Sequence, residues 1–359
     1  MLHVHARKHE AVAAEIRRLI RTGKFGADET LPDRSHLITR FRVSRATLQM
    51  AFDILIGEGT VRARRKGGTT VCPRTPGSLC YGLVFPGPVP KEHRSHYWTM
   101  LQTLPQSLAS ETFPRITAYY PDLADPHRPT SLQLESDIRN HKLDGLIFTG
   151  PVPDQVGTLP VETSALRCVS LLSEPLTSSR IPVVSLDWKS LIDRALTWFK
   201  SRGRKRVATL ILPGAGPSNP YIDSVRLSLQ KHGYQTPSCW VQGIHPDSPG
   251  WAREVVKLMM MPPARQRPDA LFITDDTLVD EALAGLLESG LKIPSDLEVV
   301  AHCNFPVPGR SLLPVVRLGY DIPAAFHSCL ELLRRPKDQN QSIKIPAQFE
   351  SEYKPNTPR

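Results

Sequence analysis

The sequence predicts an α/β protein in which a small basic head of three helices and a hairpin precedes a larger region of alternating strands and helices. Three observations support this fold class. Residues 31–71 follow the order helix, turn, helix and two short strands; most of the net positive charge lies before residue 78; and apolar runs alternate with amphipathic segments beyond residue 79. The order of elements in the head is that of a winged helix-turn-helix.

The third predicted helix of the head carries the most informative face. Ser44 is placed to cap it, since its hydroxyl can accept from the free N–H groups of the first turn. Arg45 and Gln49 then face outward one turn apart, where they can bond to guanine and adenine edges. An ordinary solvated helix face is the alternative for these two residues taken alone. The buried stripe is expected at Leu48, Ala51, Phe52 and Leu55.

The remaining elements of the head are a first helix, a second helix that begins near Asp33, and a hairpin. Gly57 and Gly59 are expected to end the third helix, because glycine enters the left-handed conformation without steric penalty. The hairpin strands are expected at residues 60–65 and 69–71, around a basic glycine turn. Its cations suit phosphate contact: Arg62, Arg64, Arg65 and Lys66.

Charge is concentrated in this head. Residues 1–77 hold 15 Lys and Arg against 7 Asp and Glu, a net charge of +8 out of the +10 of the whole chain. A uniformly basic enzyme would not segregate its charge in this way. The natural partner of such a head is a polyanion, and the element order indicates double-stranded DNA.

Residues 8–73 resemble the DNA-binding domain of GntR-type bacterial transcription regulators. The matching residues are Leu31-Pro32, Phe41, Val43-Ser44-Arg45, Thr47, Gly59, Val61, Arg64 and Gly68-Thr69. In the family, an arginine after the Leu-Pro pair, the arginine of the Ser-Arg pair and another four residues later contact DNA. Arg45 keeps the middle position, whereas Ser35, beside Arg34, and Gln49 occupy the other two. The operator sequence of other members therefore does not transfer to this chain.

The resemblance and the helix face together define the expected DNA contacts. Arg45 and Gln49 are expected at base edges, and the phosphate contacts at Arg34, Thr47, Arg64 and Lys66. The remaining members of the expected site are Ser35, Ser44 and Gly68. A homodimer would place two heads on an inverted-repeat operator, with half-sites spaced by the helical turn of DNA.

A connector rich in proline, glycine and serine follows the head at residues 74–79. Beyond it, buried strands are expected at 81–85, 143–148, 167–171, 182–186, 207–212, 270–274 and 297–301, and helices at 191–200, 222–231, 251–261 and 276–289. This alternation predicts doubly wound parallel sheets with helices on both faces, in two similar lobes over residues 80–350. Residues 351–359 are expected to form a C-terminal tail, and residues 1–73 the head.

Residues 80–350 resemble the effector-binding domain of LacI-type repressors, which is related to periplasmic sugar-binding proteins. The clearest matches are Pro268-Asp269-Ala270-Leu271-Phe272-Ile273-Thr274-Asp275-Asp276 and the block from Gly290 to Val300, with further matches at 143–147, 182–187 and 203–208. The resemblance implies a periplasmic-binding-protein-like fold that takes a small effector, a sugar in many members, between the two lobes. A GntR-like head joined to a LacI-like sensor is a combination known among bacterial regulators.

Four residues are candidate effector contacts. The resemblance assigns Asp276 to ligand hydroxyls and Tyr97 or Trp98 to stacking on a sugar, while Tyr221 stands where family members place an arginine. Residues 301–304, Ala-His-Cys-Asn, replace the usual Gly-x-Asp-Asp. Since sugar hydroxyls must not be buried unpaired, a carbohydrate and another small ligand both stay open. A helix N-cap is the alternative role for Asp276, and core packing the alternative for Tyr97 and Trp98.

Motifs for a cofactor, a metal or a nucleophile are absent from the sequence. Gly214-Ala215-Gly216 follows a strand, but Asn219 replaces the third glycine of a dinucleotide loop. The six cysteines lie far apart and are expected to be buried free thiols, and Met259-Met260-Met261 is expected to face the core. A run of about 18 apolar residues that could cross a bilayer is also absent, as is a signal-peptide core, which favours the cytoplasm.

The sequence therefore predicts a cytoplasmic, homodimeric bacterial transcription regulator without a cofactor, with repression as the expected direction. A small effector bound between the lobes would control its affinity for operator DNA. One alternative is an α/β ligand-processing enzyme with a basic nucleic-acid-binding appendage. The other is a nucleoid-type binder without sequence preference, whose affinity would come almost wholly from phosphate contacts.

Overall fold

The computed structural model describes residues 8–64, 68–73, 75, 78–87, 96–110, 113–121, 129–150, 155–156, 159–160, 166–172, 181–212, 220–234, 236–245, 248–335 and 342–355. The chain divides into two compact units. Residues 1–88 and 105–170 form the first unit, and residues 89–104 and 171–359 form the second.

The head, within the first unit, has the predicted three helices and hairpin. They are α1 (Lys8–Arg21), α2 (Arg34–Phe41), α3 (Arg45–Gly57), β1 (Val61–Arg64) and β2 (Gly68–Val71). Asp33 caps α2 by accepting from the N–H of His36 at 2.8 Å. Ser44 caps α3 by accepting from the N–H of Thr47 at 3.1 Å, as predicted.

The four residues of the predicted stripe on α3 are at most 1 % exposed, and they pack in one core with α1, α2 and the hairpin. Burial of each large side chain contributes about 1.5–3 kcal/mol to stability. The core members are Val12, Ala13, Ile16, Leu19, Ile20, Phe25, Leu31, Leu37, Leu48, Ala51, Phe52, Leu55, Val61 and Val71. This apolar core fixes the direction in which the outer face of α3 points.

Two details of the head differ from prediction. Gly59 has φ +72° and follows the helix as expected, and Gly57 is the last residue of α3, but its φ is not positive and Glu58 is the capping residue. Gly68 was expected in the turn, yet it begins β2 and pairs with Arg64. Residues 65–67, which include the expected phosphate contact Lys66, lie outside the described residues.

The first unit also contains a parallel sheet. Its strands are β3 (Cys80–Val84), β4 (Arg115–Tyr119), β5 (Gly145–Phe148) and the first part of β8 (Arg167–Leu172), in the order β4-β3-β5-β8. Helix α5 (Pro129–Arg139) precedes β5, and two short strands, β6 (Gln155–Val156) and β7 (Leu159–Pro160), pair antiparallel. The sequence did not predict β4, because this edge strand is largely exposed and lacks an apolar run.

The second unit contains a six-stranded sheet in the order β11-β10-β12-β13-β14-β16. Its strands are β10 (Val207–Ile211), β11 (Val241–Gly243), β12 (Ala270–Ile273), β13 (Glu298–Phe305), β14 (Val316–Asp321) and β16 (Gln348–Phe349). All neighbours pair in parallel except β14 and β16. Two further strands, β9 (Val183–Asp187) and β15 (Ile343–Pro346), pair with each other in parallel.

The helices confirm the predicted alternation. They are α4 (His96–Ser107), of which residues 96–104 belong to the second unit, α6 (Trp188–Ser201), α7 (Pro220–Lys231), α8 (Trp251–Met260), α9 (Val279–Glu288) and α10 (Ile322–Arg334). The predicted helix at 276–289 begins instead with a 3-10 turn, Asp276–Leu278. Among the described residues, none of the helices is long and apolar enough to cross a membrane.

Some expectations about individual residues were wrong. Strand β13 continues four residues beyond its predicted end at Ala301, so that residues 302–304 lie within the strand. All six cysteines are free thiols, but Cys239 is exposed, and Cys72 and Cys80 are half-buried. Met259 and Met260 are buried as expected, whereas Met261 follows the end of α8 and is 77 % exposed.

Gly319 is required by the close approach of β14 to β13. A Cβ atom at this position would lie 1.7 Å from the carbonyl oxygen of Cys303, a backbone atom that cannot move away cheaply. We expect Gly319→Ala to lower the free energy of unfolding by about 3 kcal/mol or more in urea titrations. The matched control is Gly250→Ala, where nothing lies within 4 Å and the backbone is helical. It should change stability by less than about 1 kcal/mol, and equal effects of the two variants would contradict the steric argument.

Candidate DNA-reading surface and ligand pocket

The outer face of α3 is presented as the sequence predicted. Arg45 and Ala46 are exposed in its first turn, and Met50 is 45 % exposed. The cap at Ser44 is reinforced by a hydrogen bond of 2.8 Å between its hydroxyl and that of Thr47. Arg45 therefore starts a helix whose first turn is fixed, with its guanidinium on the outer side.

The Gln49 amide is held by two partners. Its Oε1 accepts from Arg34 Nη1 at 2.6 Å, and its Nε2 donates to Asp53 Oδ1 at 2.7 Å. These are the same two atoms that bidentate bonding to adenine requires. The chain Arg34–Gln49–Asp53 presets the orientation of the amide, and these two bonds leave the second lone pair of Oε1 and the second hydrogen of Nε2 for another partner. Sequence reasoning missed Asp53, since an acidic residue one turn along a helix is typical of an ordinary surface.

The other expected DNA contacts fall into two groups. Ser35 is exposed on α2 next to Arg34, whose guanidinium lies 5.6 Å from the centre of the Phe52 ring. Arg64 and Gly68 form the last described pair of the hairpin, and both are exposed. Arg34 thus belongs to the same face as Gln49, while the hairpin contributes separate positions.

In the second unit, Asp276 lies just beyond the carboxyl end of β12 and joins two other elements. Its Oδ2 accepts from the backbone N–H of Tyr97 at 3.1 Å and from Asn304 Nδ2 at 3.0 Å. The N–H of Tyr97 belongs to the first turn of α4 and has no partner within its helix. Asp276 therefore caps α4 and ties it to β13. Asn304 is the last of the four residues that stand in place of the usual Gly-x-Asp-Asp segment. It was not predicted as a member of this site.

Asp276 was alternatively expected to cap its own helix, but its neighbour Asp275 has this role. Asp275 accepts from the N–H of Thr277 at 2.9 Å and caps the 3-10 turn. Burial raises the pKa of the Asp276 carboxyl, and its hydrogen bonds from Tyr97 and Asn304 offset part of this rise. Burial likewise raises the pKa of Asp275 and lowers that of His302, so that both groups favour their neutral forms.

His302 and Asn304 leave polar atoms unused in this buried region. Among the described residues, His302 Nδ1 and Asn304 Oδ1 have no hydrogen-bond partner. His302 lines a small pocket with His96, Asp276, Arg317 and other residues, and its ring lies 5.7 Å from that of Tyr320. A buried polar atom without a partner costs about 1–3 kcal/mol, so this region is suited to a ligand with hydrogen-bonding groups.

The aromatic candidates occupy the start of α4. The rings of Tyr97 and Trp98 meet edge to face with centroids 5.3 Å apart, and both residues are half-buried. Burial raises the pKa of the Tyr97 hydroxyl. The structure therefore brings Tyr97 to Asp276 through its backbone. Tyr221 lies in the first turn of α7, and its side chain is outside the described residues.

Two family models each match a part of the chain. Residues 8–71 match "Bacterial regulatory proteins, gntR family", and residues 196–347 match "Periplasmic binding protein-like domain". Among curated proteins, catabolite control protein A of Priestia megaterium is 21% identical over 234 residues, which cover 63% of this chain and 69% of that protein.

Solved structures show the same fold for the larger region. A regulatory protein of the LacI family from Chloroflexus aggregans has a TM-score of 0.61 and 17% identity, covering 75% of this chain and 96% of that one. A LacI family transcriptional regulator from Lactobacillus casei with bound glucose has a TM-score of 0.55 and 15% identity, covering 76% and 98%. The same regulator with bound sucrose has a TM-score of 0.54 and 17% identity, with coverage of 76% and 98%.

The buried His302 predicts a pH dependence of stability. Below pH 6.5, its ordinary pKa, the unfolded chain binds a proton that the folded chain does not, so the free energy of unfolding should fall as pH is lowered. Above pH 3.8, the raised pKa values of Asp275 and Asp276 have the opposite effect on the free energy of unfolding, because the folded chain retains protons that the unfolded chain has lost. We therefore expect His302→Gln to lose less stability than the wild type between pH 7 and pH 5, measured by urea unfolding.

The exposed histidine of α10 provides the control for this measurement. His327→Gln should follow the wild-type pH profile, because it leaves the buried imidazole in place. Parallel profiles for the wild type and His302→Gln would contradict the argument.

The comparisons bear out the two resemblances seen in the sequence. The helices and hairpin of the head coincide with the first match, and strands β10 to β15 fall within the second. The first match is a domain of bacterial regulatory proteins, and the solved structures above are described as regulators of the LacI family. The chain joins a domain that matches the gntR family of bacterial regulatory proteins to a periplasmic-binding-protein-like domain, in a fold shared with LacI family regulators.

Proposed function

We propose that the protein is a cytoplasmic bacterial repressor that binds an inverted-repeat operator as a homodimer and responds to a small effector. The observation that carries this proposal is the capped helix α3, with Arg45 exposed and the Gln49 amide oriented, in a head of the GntR type. We place the head at residues 1–73, the connector at 74–79, the effector domain at 80–350 and the tail at 351–359.

At the DNA, Arg45 and Gln49 read base edges, while the other residues position the head. Arg34 exchanges its bond to Gln49 for a phosphate, and Thr47, Arg64 and Lys66 also contact the backbone. Two heads in a dimer sit on half-sites separated by the helical turn of DNA. Ser35, Ser44 and Gly68 complete the proposed DNA-binding site, because each lies next to one of these contacting residues.

The effector binds at the carboxyl edge of the sheet in the second unit, beside Asp276. A neutral ligand rich in hydroxyl groups suits this region, because each hydroxyl can both donate to Asp276 and accept from a buried donor. The regulator from Lactobacillus casei holds glucose or sucrose, which supports a carbohydrate as the ligand class here. Tyr97 and Trp98 supply aromatic surface beside Asp276, and we propose Tyr221 as a further effector contact.

Regulation requires that the effector bind two arrangements of the protein with different affinity, since a ligand with equal affinity for both shifts nothing. Asp276 is suited to this role, because it already holds α4 and β13 together. A hydroxyl that engages the same carboxylate changes those two hydrogen bonds.

The DNA-binding role is tested by selecting operator sequences from random duplexes with the wild-type protein. Arg45→Ala and Gln49→Ala should each lower affinity for the selected sequence by roughly 1–3 kcal/mol and relax the preference at one base. Lys66→Ala should weaken all sequences about equally and flatten the salt dependence.

Arg18→Ala is the control, because Arg18 is exposed on α1 and pairs with Glu15 of the same helix. It should bind like the wild type. Undiminished discrimination by the Arg45→Ala, Gln49→Ala double variant would refute the assignment of α3 as the reading helix. Enrichment of no sequence by the wild type would favour the nucleoid-type binder.

The effector role is tested by thermal unfolding with mono- and disaccharides and other polyols. A ligand at 100 times its Kd should stabilise the wild type by about 2.7 kcal/mol, and Asp276→Asn should lose most of that gain. The control Glu331→Gln removes an exposed carboxylate of α10 that pairs with Arg335, and it should keep the full gain. Equal stabilisation of Asp276→Asn would exclude this carboxylate from the site.

A further inference from the structure

Helix α1 of the head contacts the sheet region of the first unit through buried charge. Arg17 is only 7 % exposed, although it lies on a surface helix of a small domain. Its Nε and Nη2 donate to the carboxylate of Glu58 at 2.8 and 2.6 Å, and its Nη1 donates to the backbone oxygen of Asn140 at 3.0 Å. One guanidinium thus bonds to the end of α3 and to the turn that follows α5.

A second arginine, Arg21, lies one helical turn further along α1 and contacts the segment between α5 and β5. Arg21 Nη2 donates to Asp144 Oδ1 at 3.1 Å, and the two side chains are 18% and 10% exposed. Asp144 Oδ2 accepts from the N–H of Cys80, the first residue of β3, at 2.8 Å. Asp144 therefore holds both the head and the strand at which the connector ends.

We define the latch as Arg17, Arg21, Glu58, Asn140 and Asp144. Its groups are largely withdrawn from water, so removing one partner leaves the other charge desolvated. Exposed pairs such as Arg18–Glu15 carry little energy by comparison. The latch is thus a specific attachment rather than a chance surface contact.

The contact between head and sheet is polar and incompletely packed. A solvent-open pocket of about 290 Å³ lies beside the latch and is lined by both parts, including Ile20 of α1 and Tyr119 of β4. Interfaces of this polar kind within a chain resemble transient protein–protein interfaces. The attachment can therefore open without loss of an apolar core.

The latch leaves the reading surface uncovered. Arg45 and Ala46 of α3 are exposed while Arg17 is buried in the contact. Closing the latch orients the head without blocking DNA.

We propose that this latch couples the effector domain to the head by switching between a closed and an open arrangement. When it is closed, the head moves as one body with the sheet of the first unit. When it is open, the head is tethered only by the connector at residues 74–79. The two heads of a dimer then lose their orientational freedom only when they bind DNA, which weakens binding. The regulatory consequence rests on the proposed function, whereas the attachment itself does not.

The attachment is tested on the full chain by NMR relaxation of the backbone amides of α1–α3. In the wild type, the rotational correlation time of the head should equal that of the rest of the first unit. Arg21→Gln and Asp144→Asn should each shorten it, and the double variant should be no different from either single variant, since both remove one interaction. Asp144 lies outside the head, so this variant leaves the core of the head intact.

Arg18→Gln is the matched control, because Arg18 lies three residues before Arg21 on the same helix and pairs within it. It should keep the wild-type correlation time. An unchanged correlation time in both latch variants, or an equal shortening in the control, would overturn the latch.

The regulatory consequence is tested with duplexes selected by the wild-type protein. Latch variants should bind a duplex with two half-sites at least about tenfold more weakly than the wild type, because the effective concentration of the second head falls. They should bind a duplex with one half-site equally well. Wild-type affinity of the latch variants for both duplexes would refute the coupling. If the wild type selects no sequence, the proposed function fails, while the relaxation measurement still decides whether the latch exists.

Discussion

Burial of one face of α3 is the constraint on which the candidate DNA-reading surface depends. Leu48, Phe52 and Leu55 are held in the core of the head, and this fixes the rotation of the helix about its own axis. The opposite face then has to carry Arg45 and Gln49. Under the proposed function, the side chains that would distinguish bases therefore take their positions from this apolar packing.

Each unit contains a carboxylate that accepts hydrogen bonds from two separate elements. Asp144 receives donors from α1 and from the first residue of β3, and Asp276 receives donors from α4 and β13. In each case one carboxylate binds two elements that are distant in sequence, at a point where the backbone N–H groups of a strand or helix end lack regular partners. These carboxylates hold the elements together through hydrogen bonds and charge rather than through apolar area.

Periodicity and turn chemistry were enough to predict the head, because its core comes from residues close together in sequence. The strands of the larger region were predicted where they form apolar runs, as in β5 and β10, and missed where they are exposed or polar, as in β4. The environment of Asp276 was predicted only in part, since Asn304 and His302 join it through the pairing of β12 with β13. The partners of Gln49 and Arg21 were also missed, because a side chain's preferred partner among many polar neighbours is set by three-dimensional packing.

The hydrogen-bonded amide of Gln49 has a consequence for how a recognised sequence would drift over evolution. Arg34 and Asp53 each use one of the two bonding positions on its oxygen and nitrogen, which leaves one lone pair and one N–H of the amide to meet a base. Under the proposed function, a mismatched base costs Gln49 only the bonds to that base, because the amide keeps its own partners. Promoters would then acquire changes at this position gradually, whereas the guanidinium of Arg45, outside this hydrogen-bonded chain, would impose the stricter demand.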